Sequence, residues 1–321
     1  MILEIIIFIV SIVLLSWLSS SFVKTVIEIA KYLHWREFIV AFFVMGFASC
    51  LPNLFVDLSA AFQGLAPIAF GDIIGGNLID LTLIMAIVVL FSKDTVETNS
   101  KMVQGSSLFT FLIAVLPIFL IWDGKVTQKE GIVLIFAFFV YAFWLFSKDN
   151  RFKKVYSGAK KQSTLPTIRR LDFVKNIAKL ILIIVVLLVA SQGIIMAAKS
   201  FQESLGISLS LVGVLIVALG NCFPEMYFGI VAGRKGEGWM IVGDMMGSVI
   251  IAATLVLGII GIVAPFEIKD MSVFLIARIF TVIAAIFFLI AVRTGKKITK
   301  QEAVILLFVY VAFLLTEIFV K

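Results

Sequence analysis

Stretches of about twenty apolar residues, each closed by a short polar break, follow one another along the whole chain. The breaks carry Gly, Ser, Pro or charge, as loops do. The apolar stretches fall at 2–21, 36–62, 66–91, 106–122, 128–147, 173–199, 206–232, 238–264, 271–292 and 299–320. Roughly 20 apolar residues in helix cross a bilayer core, and a helix satisfies its backbone polar groups without water. The pattern predicts an all-α polytopic membrane protein of ten transmembrane helices. The first stretch reads as a span, because it is too long for the apolar region of a signal peptide. It also carries Glu4 where a basic flank belongs.

Inside these stretches, polar and helix-breaking residues recur at a fixed distance. Residues 44–88 laid on 216–260, 172 positions apart and without gaps, agree at 11 of 45 positions. The pairs include Cys50/Cys222, Pro52/Pro224, Gly71/Gly243, Asp72/Asp244, Gly75/Gly247 and Thr82/Thr254. Shared oiliness does not put Pro, Asp and Gly in register, so the chain reads as an internal repeat. The first five-helix repeat spans 1–147, with its motif at 46–88. A linking loop covers 148–172, and the second repeat spans 173–321, with its motif at 218–260. Five spans per half make corresponding spans cross in opposite directions. That is the inverted-topology repeat of secondary transporters, with one site near the midplane.

Composition and charge add orientation. The chain is 62% hydrophobic with a mean hydropathy of +1.15, well above a soluble domain. Of its 27 Lys and Arg, 21 lie in or beside the loops after the first, third, fifth, seventh and ninth spans. The positive-inside rule puts those loops in the cytoplasm and both termini outside. The long basic loop "SKDNRFKKVYSGAKKQSTLPTIRRLD" is the cytoplasmic link between the halves. Its charge suits an anionic lipid leaflet rather than nucleic acid. The localisation expected is an integral protein of the plasma membrane. Two cysteines form no extracellular framework and leave the redox compartment unread.

The candidate site lies where the repeats break their helices. Pro52 and Pro224 donate no backbone N–H, so the carbonyls of Ala48 and Gly220 lose their helical partners. A bound cation would satisfy them. Ser49 and Asn221 add side-chain oxygens beside them. Glu225 and Asp80 are acids deep in the apolar stretches, and an intramembrane acid is a functional candidate by default. Asn77 and Asp80, at i and i+3, share a helix face. Asp57, one turn past Asn53, either supplements that position or faces a water-filled mouth. Asp72 and Asp244 sit near expected helix starts, where they cap backbone N–H groups or touch the ion. The Gly71/Gly75 and Gly243/Gly247 spacings suit close helix packing, which would draw the third span against the second.

At these residues the sequence resembles the sodium/calcium exchangers of the calcium/cation antiporter superfamily. Their repeats carry G-T-S-x-P-E followed by G-N-x-x-G-S-N-x-x-[ND]. Here the first repeat reads "ASCLPN" at 48–53 and "GDIIGGNLID" at 71–80, and the second "GNCFPE" at 220–225 and "GDMMGSVIIA" at 243–252. The resemblance implies alternating access, with calcium held between the two motif glutamates and backbone carbonyls, and sodium in neighbouring sites. Glu225 matches one glutamate and Asn53 replaces the other. Asp80 matches the Asn/Asp of the third span, and Ala252 replaces its partner. Cys50 and Cys222 stand for the motif serines that line sodium sites. Ser248 keeps a hydroxyl that Gly76 has lost.

The expected function is secondary antiport of Ca²⁺ against Na⁺. The alternative is exchange against protons, or of another divalent metal, with fewer sodium sites, because thiols are soft ligands for a hard ion. Cys50 and Cys222 as soft-metal ligands are a further, weaker reading. A channel is disfavoured by the absence of a filter motif. An enzyme is disfavoured because His34 is the only histidine and no nucleophile–base pair assembles. No cofactor is expected beyond the transported cations, and no oligomer is required.

Overall fold

The computed structural model describes residues 2–32, 37–93, 95–147, 170–234, 238–268 and 271–320. The basic segment 148–169, His34 and the side chains of Ala48 and Ser49 lie outside what is described. Helices form where apolar runs were read: α1 (Ile2–Tyr32), α2 (Glu37–Phe62), α3 (Ala66–Phe91), α4 (Lys101–Leu120), α5 (Gln128–Ser147) and α6 (Arg170–Leu205). The second half adds α7 (Leu209–Asn221), α8 (Phe223–Arg234), α9 (238–263), α10 (Leu275–Arg293) and α11 (Lys300–Val320). By length and composition, seven helices among the described residues can cross a membrane, or eight if the bent pair α7–α8 is one span. The fully described apolar parts of α1 and α2, Ile2–Leu18 and Cys50–Phe62, are shorter.

Four two-residue strands link the halves. β1 (Val96–Glu97) pairs antiparallel with β4 (Lys297–Ile298), and β2 (Lys125–Val126) with β3 (Phe266–Glu267). Each ribbon joins a loop from one half to a loop from the other, at opposite ends of α4. Strands β2 and β4 stand 172 positions apart. So do two capping boxes: the N–H of Thr127 donates to Glu130 at 2.9 Å, and that of Thr299 to Glu302 at 2.8 Å. Each box satisfies orphan donors at a helix start.

The same offset appears in the central helices. In α3 a π-helical turn covers Asp80–Ile84, and in α9 another covers Ile251–Val256. The Thr82 hydroxyl donates to the Leu78 carbonyl, and the Thr254 hydroxyl to that of Ile250. Those hydroxyls satisfy carbonyls at the point where the helical hydrogen-bond ladder changes step, and such turns cluster at functional sites. Helices α3 and α9 are also the most enclosed spans, 83% and 78% buried, against 28–39% for the other crossing helices. A second apolar cluster sits apart from this core and joins α1 to α6 through Leu15, Leu187 and Ile194, with Val56 and Ala60 of α2.

Two expectations change. Pro52 lies inside a continuous α2, whereas near Pro224 the chain breaks at Cys222 and α7 and α8 diverge by 40°. Gly220, which has no counterpart at Ala48, loosens the second break. Gly71 and Gly75 pack α3 against α7 rather than mainly against α2. A Cβ on Gly75 would stand 2.4 Å from the Val214 carbonyl oxygen, and one on Gly71 3.0 Å from that of Ser210. Gly243 and Gly247 have nothing within 4 Å among the described residues.

Candidate functional site

Four helical elements deliver polar side chains to the enclosed centre. Asn53 and Asp57 come from α2, and Asp72, Asn77 and Asp80 from α3. The α7–α8 break supplies Asn221, Cys222 and Glu225, and α9 supplies Ser248. All nine are buried, with Asp57 and Asp72 at 0% exposure. Buried polar groups ordinarily find partners. Here oxygens of Asn53, Asp57, Asp72, Asn77, Asp80 and Glu225 have none. No Lys or Arg among the described residues forms an ion pair with these acids; the ion pair seen, Lys125–Glu267 at 3.8 Å, lies at a loop.

Two groupings emerge. In the first, Asp80 of α3 meets the side chains of Ser248 and Cys222, and the Glu225 carboxylate lies close enough to feel its charge. The Cys50 thiol donates to the Ser248 carbonyl at 3.6 Å and lies 3.7 Å from its hydroxyl oxygen. Gly76 faces the Cys222 sulfur, so a side chain there would meet it at 3.9 Å. The sequence-read acids Glu225 and Asp80, one from each half, therefore lie within electrostatic reach of each other in the enclosed centre. Among the described residues no three His, Cys, Asp or Glu side chains form a metal cluster. A cation here would need amide, hydroxyl or backbone oxygens beside the two carboxylates.

In the second grouping, the Asn221 amide donates to Asp72 Oδ2 at 2.7 Å, and the Asp57 carboxyl adjoins that of Asp72. This excludes the capping reading of Asp72. Helix α3 begins at Ala66, with Pro67 in its first positions, so Asp72 stands nearly two turns inside. Asp244 sits as far inside α9, which starts at Gly238, and caps nothing either. The Asp57–Asp72 contact was not legible in sequence, because it depends on the angle between α2 and α3. Gly220 meets α1: a Cβ there would be 2.6 Å from Ile12. Ala48 contributes only its helical backbone to what is described.

A match to the family described as sodium/calcium exchanger protein covers residues 3–147 and again 175–319. The second match starts and ends 172 residues after the first. The chain is 26% identical over 94% of its length to the sodium/calcium exchanger MaX1 of Methanosarcina acetivorans, covering 95% of that protein. It is 25% identical to the putative antiporter CaxA of Alkalimonas amylolytica, over 95% of each chain. Among solved structures it superposes on the sodium-calcium exchanger NCX_Mj with a TM-score of 0.64 at 21% identity, covering 98% of this chain and 99% of that one.

Proposed function

The chain belongs to the sodium/calcium exchanger protein family, a family of membrane cation transporters, and on that premise we propose that it exchanges Ca²⁺ for Na⁺ by alternating access. The observation that carries the proposal is that Glu225 and Asp80, buried carboxylates from opposite halves within electrostatic reach of each other, each have an unpartnered oxygen and no described counter-cation. An uncompensated buried charge is costly, and one divalent cation neutralises both. Ca²⁺ takes six to eight oxygens in flexible geometry. Asn53, Asn77, Asn221, Ser248 and the Ser49 hydroxyl would supply neutral oxygens, and Ala48 and Gly220 backbone carbonyls.

Ten spans in two inverted repeats are the architecture this reading requires. Its support is the recurrence of one offset in the sequence, the π turns, the capping boxes and the family match. Both termini would face outward and the 148–172 loop the cytoplasm, in the plasma membrane. Sodium occupancy is reduced relative to the family pattern. The Cys50 thiol spends its hydrogen on Ser248, and Cys222 lies against Asp80, where the motif has hydroxyls. That substitution favours, as second reading, exchange of a divalent ion against protons.

Flux into proteoliposomes separates the two. Calcium uptake driven by an outward sodium gradient supports the first. Uptake driven by a pH gradient alone, with sodium inert, replaces it with the second. Current at channel rates without any gradient coupling would end both.

A further inference from the structure

Away from the enclosed centre, the seam between α2 and α6 mixes polarity in a way the exchange reading does not use. The two helices pack through apolar side chains, yet a row of polar ones runs along their contact. The Ser59 and Ser191 hydroxyls, both buried, lie 2.7 Å apart. One turn on, just past the end of α2 at Phe62, the Gln63 amide donates to Gln192 Oε1 at 2.6 Å. The Lys199 ammonium donates to Gln63 Oε1 at 3.5 Å. Helical side chains lean toward the N-terminus, so Lys199 reaches back along α6 to the level where α2 ends. Gly64, with a φ of +71°, turns the chain from α2 toward α3 directly after Gln63. A turn between two apolar helices belongs at the membrane surface.

Beside these amides a groove of about 470 Å³ opens between the helices. Its walls include Phe62 and Gln63 of α2 and Val185, Leu188, Val189 and Gln192 of α6. Phe62, Val185, Leu188 and Val189 are exposed, and exposed apolar side chains on such helices meet lipid tails. Gln192 is exposed among them, and its amide nitrogen has no hydrogen-bond partner among the described residues. At the edge of hydrocarbon a donor without an acceptor is costly. Lys199, also exposed, forms no ion pair among the described residues. We infer that this groove is a binding site for one phospholipid with an anionic headgroup. An acyl chain lies along Val185, Leu188 and Val189, an ester carbonyl accepts from the Gln192 amide, and the phosphate meets Lys199. The last contact is charge-assisted, and basic pockets between spanning helices suit such headgroups. A zwitterionic headgroup brings its own cation to the phosphate, whereas an anionic one leaves it to Lys199. A second protein chain would have to place both an acceptor and an anion here; a phospholipid carries the two together. The site does not depend on which ions are exchanged.

Native mass spectrometry of the purified full-length protein tests this, with palmitoyl-oleoyl phosphatidylglycerol or the matching phosphatidylcholine added in detergent. The wild type is expected to retain one phosphatidylglycerol per chain, about tenfold more tightly than phosphatidylcholine. Lys199→Ala should erase that preference, and Gln192→Leu should weaken both lipids. Val189→Trp, which fills the groove, should abolish the retained lipid. All three positions are exposed, so the fold tolerates the changes. Lys129→Ala removes an exposed cation at the start of α5 and should change nothing. Equal affinity of the wild type for the two lipids overturns the proposal. So does an equal loss in Lys129→Ala and Lys199→Ala, because lipid then coats the protein by charge alone. It is also overturned if Val189→Trp keeps its lipid, or if the wild type is a lipid-free dimer that Val189→Trp splits, since a second copy then covers the groove.

Discussion

Gly75→Ala adds one methyl group where α3 and α7 touch. Its Cβ would lie 2.4 Å from the Val214 carbonyl oxygen and 2.9 Å from the Ala218 Cβ. Favourable carbon contacts lie at about 3.5–4.0 Å, so α3 must withdraw from α7 by roughly 1 Å. Neither obstacle is the tip of a flexible side chain. One helical turn away, the 2.7 Å bond from Asn221 to Asp72 would stretch beyond hydrogen-bonding length. Overpacking of this kind costs about 1–3 kcal/mol, and the lost bond to a charged group about 1.5–3 kcal/mol more. Thermal unfolding in detergent, followed by intrinsic fluorescence, should show Gly75→Ala several degrees below the wild type, and an unchanged midpoint would refute the packing on which this prediction rests.

Glu225→Gln and Asp80→Asn should each abolish gradient-driven calcium uptake while the circular dichroism and elution volume stay those of wild type; full activity in either removes that residue from the site. Asn53→Glu restores the carboxylate of the family motif and should tighten divalent binding by about tenfold, the equivalent of ~1.4 kcal/mol; weaker binding in calorimetry would show that added charge there is repulsive. Arg278→Met should cost about 2 kcal/mol in thermal unfolding. Arg278 donates to the Ile118 carbonyl at 2.8 Å and lies over the Trp122 ring at 4.9 Å, and an unchanged midpoint would mean both contacts are idle.

Hydropathy located the helices because apolar length is a property of each segment alone. It underestimated α1 and α6, expected at 2–21 and 173–199 and observed at Ile2–Tyr32 and Arg170–Leu205. Their polar ends continue the helix, and composition marks where the apolar part stops rather than where the helix does. The offset of 172 was legible because Pro, Asp and Gly tolerate little drift, and the two family matches fall at that spacing. Glu225 and Asp80 stand out in the sequence because an acid in an apolar run is expensive. The π turns at Asp80–Ile84 and Ile251–Val256 were not legible, since neither DLTLI nor IAATLV differs from ordinary helix sequence. Nor were the partners of Asp72. Its neighbours across the helix interface, Asp57 and Asn221, are fixed by how three helices lean together, which no local pattern encodes.

The two ribbons bear on how such a molecule is assembled. Since β1 needs β4 and β2 needs β3, a polypeptide severed within 148–169 would leave two fragments, each presenting bare strand edges that only the other can complete. Folding of the first fragment on a ribosome is thus provisional until the second emerges. The stitching also fastens the ends of α4 and α10 from both rims, and in the exchange proposed above that pair would stand still while elements the stitches do not reach move.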